Sequence, residues 1–231
     1  MPAKNAKSQA RKAPVEKFGQ SLTDRAYGEL EELIVTLRLA PGTAVSEAEL
    51  SQRLGIGRTP IREALQRLAR ERLVTILPRR GIIVSEINVK SQLRLLEVRR
   101  EVERLVARSA ARRATGEERK RFAGIAREFE KSARSNDAVT FMRIDREFNE
   151  LSVSVARNEF AAGAMGLMHS LSRRFWFLHY RQAADLPLTA KLHADIARAI
   201  AAADEAGAGR AMDRLLDTIE TFTRATVSTD F

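Results

Sequence analysis

The sequence contains no cysteine, which excludes a disulfide framework and any thiolate metal site. That absence fits a reducing, cytoplasmic setting. No apolar run approaches the roughly 20 residues that a membrane span needs, so a membrane partner is not expected. A glycine-rich phosphate loop and a serine nucleophile elbow are missing, and the three histidines lack the spacing of a hydrolytic metal motif. An enzyme is therefore not expected. There is no internal repeat and no low-complexity tract beyond residues 1–20. That segment carries Lys4, Lys7, Arg11, Lys12 and Lys17 against Glu16 alone. It lacks the apolar stretch of a signal peptide and reads as a disordered basic tail.

What is present is a chain of 231 residues, 44% hydrophobic, enough to bury one large or two modest cores. Its 40 Lys and Arg against 30 Asp and Glu give a formal charge of +10, which points to a polyanionic partner. The distribution narrows the choice. Between Arg53 and Arg80 stand eight arginines and two acids, a net +6, so over half of the excess falls in one short segment.

That segment lies inside a unit spanning 21–87. Tyr27, Leu30, Ile34 and Leu37 recur at helical spacing and mark a first amphipathic helix. Pro41-Gly42 forces a turn. Ser46-Glu47-Ala48-Glu49 reads as a capping box opening a second helix that stops at Gly55. Thr59-Pro60 reads as the N-cap and first position of a third helix, whose inward stripe is Ile61, Ala64, Leu65 and Leu68. Leu73–Leu77, Pro78–Gly81 and Ile82–Val84 then read as strand, turn and strand. Three helices followed by an arginine-tipped hairpin make a winged helix-turn-helix.

If that leucine stripe faces inward, Arg58, Arg62 and Gln66 face outward. A helix fits the major groove of double-stranded DNA with its N-terminal end against the bases. Arginine is the usual bidentate reader of guanine, and Thr59 with the amides at the helix start suits a phosphate. Arg79 and Arg80 at the wing tip reach either the minor groove or the backbone. A merely solvated basic face leaves the capped helix before it and the basic hairpin after it unexplained. Arg67, Arg70 and Arg72 lie later and are expected to pair in part with acids such as Glu63 and Glu71.

The motifs Pro41-Gly42-Thr43, Ser46-Glu47, Leu50, Leu54-Gly55, Arg58-Thr59-Pro60-Ile61-Arg62-Glu63-Ala64-Leu65, Leu68 and Arg80-Gly81 closely resemble the GntR family of bacterial regulators. The resemblance implies that Arg58, Thr59 and Arg62 are recognition-helix contacts and that Gly81 lets the wing approach the DNA backbone. Two positions depart from the family pattern. Leu37 stands where a glycine often ends the first helix, and Ala48 where some members carry an operator-contacting arginine.

From 88 to 231 the pattern is helical, with breaks expected at Thr115-Gly116, Ser135–Asp137, Asn158, Asp185–Pro187 and Gly207–Gly209. The fold class is thus mainly α, a winged helix-turn-helix followed by a bundle of about six helices. Three apolar stripes are interrupted by polar residues. Leu95, Val98, Val102, Leu105 and Val106 have Arg99 at their edge. Phe141, Ile144, Phe148 and Ser152 enclose Asp145 and Asn149. Leu192, Ile196, Ala199 and Ile200 carry His193. Buried polar groups need partners, either one another (Arg99 with Asp145, His193 with a backbone carbonyl) or a ligand.

Val98-Arg99 with Glu103, Asp145-x-x-Phe148-Asn149, and Leu192-His193 with Ala199-Ile200 resemble the FCD helical effector domain of the FadR-type subfamily. The resemblance implies a homodimer, a small organic-acid effector and, in many members, a divalent metal held by one Asp and three His. Asp145 and His193 match two of those ligands; Asn149 and Leu215 stand at the other two. A tight zinc site is compromised, and at most a weakly bound cation with waters would remain. The favoured expectation is a metal-free effector pocket in which Arg99 forks a carboxylate, with Asp145, Asn149 and His193 around it. His169 and His179 are read as non-ligands, the latter within the aromatic run 174–178. A dimer of this kind would set two recognition helices in successive major grooves of a palindromic operator.

Overall fold

The computed structural model describes residues 21–77, 81–183 and 185–227. The basic tail, and Arg79 and Arg80 at the wing tip, lie outside the described residues. Helix α1 (Leu22–Val35) starts where the Ser21 hydroxyl accepts the Asp24 amide, and it buries Ala26, Leu30 and Ile34. It ends before Leu37, which sits in the left-handed region at φ 58°. Leu37 therefore terminates the helix instead of extending its stripe, in a conformation that costs an L-residue about 1–2 kcal/mol.

After β1 (Ala44–Val45), Ser46 caps α2 (Glu47–Leu54) by accepting the Glu49 amide, and Gly55 closes it at φ 63°. Helix α3 (Arg58–Arg70) follows. Strands β2 (Val74–Leu77) and β3 (Gly81–Val84) form the hairpin. β1 also pairs antiparallel with β3, giving the order β1-β3-β2. A strand of two residues carries no period, and β1 was not expected. Leu30, Ile34, Leu50, Ile61, Leu65, Leu68, Val74 and Val84 close the core of this unit.

The rest of the described chain is a bundle: α4 (Val89–Arg113), α5 (Gly116–Ser135), α6 (Ala138–Ala156), α7 (Glu159–Gly166), α8 (His169–Ala183), α9 (Leu186–Ala201) and α10 (Glu205–Val227). The expected breaks become caps. Thr115 and Glu118 form a full reciprocal capping box, and Asp137, Asn158 and Asp185 each accept amides of the first turn they precede. Two positions differ from expectation. The stretch after Asn158 splits into α7 and α8, which makes seven helices of about six. The last break falls at Ala202–Asp204, where Ala203 is left-handed at φ 58°, and Gly207 and Gly209 lie inside α10.

Phe122, Phe129, Phe141 and Phe148 fill the bundle centre, with Phe129 meeting Phe148 edge-on at 5.8 Å. Each ring removed from water contributes roughly 1.5–3 kcal/mol. The two cores interlock: Val35 of α1 belongs to the bundle core, and Leu171 of α8 packs on the N-terminal one. Among the described residues no helix is long and apolar enough to cross a membrane.

Candidate functional site

On α3, Ile61, Ala64, Leu65 and Leu68 are buried, while Arg58, Thr59, Arg62 and Gln66 are exposed. The helix begins at Arg58 with Gly57 as N-cap and no side-chain cap. Thr59 therefore lies within the first turn instead of capping it, and Pro60 takes the third position. No intrahelical acceptor is missed there, because the amides of the first turn have none. The uncapped start leaves backbone donors facing outward at the positive end of the helix dipole, where an anion binds best.

Arg62 is held in place. Its Nε and Nη2 donate to the Glu47 carboxylate at 2.9 and 2.8 Å, across the gap between α3 and α2. The bonds from Arg62 hold the Glu47 carboxyl below its usual range. Two of the five guanidinium N–H groups are committed to Glu47 and three remain for another partner. Ala48, next in sequence to Glu47, is exposed on α2. Gly81 adopts φ 96°, and a Cβ there would stand 3.4 Å from the Val45 carbonyl oxygen, so a side chain at this wing position is strained. Arg67 covers the Tyr27 ring at 3.6 Å and bonds Glu71 at 3.2 Å, the local pairing expected of the later arginines.

In the bundle, Asp145, Asn149 and His193 converge with Arg99 on one cavity of about 40 Å³. The Asn149 amide donates to Asp145 Oδ1 at 3.1 Å. His193 Nδ1 donates to the Thr189 carbonyl at 2.8 Å, and its Nε2 lies 3.3 Å from Asp145 Oδ1. The histidine therefore meets a backbone carbonyl as expected. Arg99 does not meet Asp145: it donates to Glu103 one turn on and to the Ser172 hydroxyl, each at 2.6 Å. Asp145 is partnered from α8, where Arg173 Nε lies 3.2 Å from its Oδ2. Burial alone would raise the Asp145 carboxyl, but His193 and Arg173 hold it below the usual range. His169 also lines the cavity, and burial lowers its pKa against the pull of Glu103.

Sequence reasoning missed the α8 contribution. His169, Ser172, Arg173 and Trp176 lie at helical spacing on one face, a signal obscured by the aromatic run between 174 and 178. His179 packs on Phe175 in a tilted pair, ring centroids 4.6 Å apart, and does not line the cavity.

The donors do not fit a resident divalent metal. Arg173 occupies the open side of Asp145, the Asn149 amide aims its N–H at the same carboxylate, and the buried Leu215 has no donor atom. Among the described residues no three His, Cys, Asp or Glu side chains are grouped to hold an ion.

A winged helix-turn-helix with an outward arginine face, joined to a helical bundle with a buried polar cavity, is the architecture of a DNA-binding transcription regulator. The FCD domain family matches residues 94–218, and the bacterial regulatory proteins of the gntR family match residues 22–84. The chain belongs to the GntR family of transcription regulators and carries an FCD domain. It is 26% identical to the HTH-type transcriptional repressor RspR of Escherichia coli K12 over 200 residues, 87% of this chain and 88% of that one. It is 47% identical over 62 residues to an HTH-type transcriptional regulator in an unstable DNA locus of Streptomyces ambofaciens, which covers 27% of this chain and 26% of that protein. The structure of E. coli McbR/YncC shares the fold, with a TM-score of 0.74 at 17% identity over 90% of this chain and all of that one.

Proposed function

We propose that the chain is a homodimeric, cytoplasmic regulator that reads a palindromic operator with Arg58, Thr59, Arg62 and Gln66. We further propose that a small organic acid in the bundle sets its operator affinity. Residues 21–87 bind DNA in this reading, and 88–231 dimerise and sense. The observation that carries the reading is the shared arginine: Arg173 lies beside Asp145 in the cavity and also donates to Glu31 of α1 at 2.6 Å. A cavity of about 40 Å³ is far below the roughly 300 Å³ of an ordinary metabolite pocket. An effector must therefore displace lining side chains to enter, and the ones displaced are tied to the DNA-binding unit. Its carboxylate competes with Glu103 for Arg99.

Operator binding measured against a panel of mono- and dicarboxylates tests this. An acid that shifts wild-type affinity should have no effect on Arg99→Ala, whose affinity for the operator alone stays unchanged. A full response in Arg99→Ala removes that residue from the pocket, and no response to any acid in the wild type points to a regulator without an effector.

A corrected stripe supports the dimer. Val98 and Leu105 were expected to face the core but are 53% and 46% exposed, and Phe160 on the neighbouring α7 is 81% exposed. Val98 and Leu105 lie two turns apart on one side of α4, which packs against α7, and exposed large apolar side chains on adjacent helices favour an interaction face. Leu105→Asp should shift sedimentation from dimer to monomer and weaken operator binding at least about tenfold, because each copy then holds a half-site alone. A variant that stays dimeric moves the interface elsewhere.

A further inference from the structure

Where the chain leaves β3 and enters α4, a crevice of about 430 Å³ opens between the DNA-binding unit and the bundle. It is distinct from the bundle cavity. Gln92 lines the crevice, Ser172 lines the cavity, and the hydrogen bond between them at 3.0 Å separates the two. The crevice walls come from both units: Arg72 from the turn after α3, Glu86 from the connection, Arg94 from α4, and Leu171, Arg174 and Phe175 from α8.

Arg174 is the anomaly. It is 2% exposed and among the largest fully buried side chains. Its Nη2 donates to the Glu86 backbone carbonyl at 3.0 Å, but Nε and Nη1 have no partner among the described residues. Burial lowers its pKa to about 10 against the pull of the Glu86 carboxylate. Bracing the connection between the units needs only one of its N–H groups. A buried cation with one neutral acceptor is costly, because desolvation is repaid only when the remaining donors are paired. The arginines at the rim add to the positive field. Arg72 and Arg94 are exposed, and neither is in an ion pair among the described residues. Exposed charges at the rim, the Glu86 carboxylate among them, are screened by water, so the interior charge that lacks a direct ion pair is the single one of Arg174.

The geometry points to a ligand site in this crevice for an organic monocarboxylate with an aryl or branched-alkyl body. The guanidinium turns from the Glu86 carbonyl into the crevice and exchanges one neutral acceptor for a bidentate anion. Leu171 and Phe175 receive the apolar body. The volume falls in the range of small-molecule sites, which favour boundaries between structural units. Because Arg72 and Arg174 belong to different units, an occupant ties them together. The site is additional to the cavity of the proposed function and does not depend on it.

The probe is 4-phenylbutyrate, with 4-phenylbutanol as its neutral counterpart, titrated calorimetrically into the full-length protein with thermal melting in parallel. Wild type should bind the acid saturably with a rise in Tm and bind the alcohol at least about tenfold more weakly, the weight of a charge-assisted pair. Arg174→Gln should lose the acid to a similar extent. Ser91→Trp, which fills the crevice and leaves Arg174 in place, should block it too and covers the case in which the Arg174 variant fails to fold. No saturable binding by the wild type, equal binding of the alcohol, or binding that survives Arg174→Gln or Ser91→Trp each overturns the proposal.

Discussion

Arg62→Ala should cost about 1–3 kcal/mol in operator binding per half-site and relax base preference at one position of each. The size follows from what Arg62 is given before DNA arrives. Its guanidinium is fixed by two hydrogen bonds to Glu47, at 2.9 and 2.8 Å, so little side-chain freedom is left to lose on docking. Glu47 brings a negative charge to the DNA face, and its gain is orientation. Glu47→Ala should therefore raise affinity for random DNA while narrowing the gap between operator and random sequence. Fluorescence anisotropy with single-base operator variants over a salt series separates the roles. A base-reading Arg62 loses selectivity at one position with little change in salt slope. A uniform loss on every sequence, with the slope reduced by about one, reassigns it to a phosphate.

The outward basic face of α3 was legible because one period carries it. Ile61, Ala64, Leu65 and Leu68 fix the inward side of α3, and Arg58, Arg62 and Gln66 then have nowhere else to point. The helix caps were legible for a similar reason, since Thr115, Asp137, Asn158 and Asp185 act within their own first turn. The cavity was only half legible. Periodicity places Asp145, Asn149 and His193 inward, yet it cannot say that α8 supplies their partner, because Arg173 meets Asp145 only through tertiary packing. Arg99 with Glu103 was readable as an i, i+4 pair and was read across helices instead. Val98 and Leu105 show the remaining ambiguity: an apolar stripe has the same period whether it faces a core or another protein.

The largest effect on stability is expected from Glu31→Gln. Glu31 is 2% exposed, takes Arg173 Nη1 at 2.6 Å and has Arg146 Nη1 at 3.5 Å. Removing one partner of a buried pair costs about 3–5 kcal/mol, since the other charge is left uncompensated. The lower end applies here, because Arg173 keeps Asp145 and donates to the Met142 carbonyl at 2.9 Å. Asp145→Asn strips the same arginine from its other side, so the two losses cannot be independent. In the double variant Arg173 has lost both carboxylates and keeps only neutral acceptors, the Met142 carbonyl and the amide oxygens introduced at 31 and 145. Denaturant unfolding of the four proteins should give an interaction energy above about 0.5 kcal/mol, where residues without a shared partner add within about 0.3–0.5 kcal/mol. Additive losses would mean that the cavity and α1 do not communicate through Arg173, and the route from effector to operator would then have to run through α4 instead. A measured coupling gives the allosteric reading its physical basis, because a ligand that pulls Arg173 toward the cavity weakens its hold on Glu31 by the same free energy with which docking of α1 opposes that ligand.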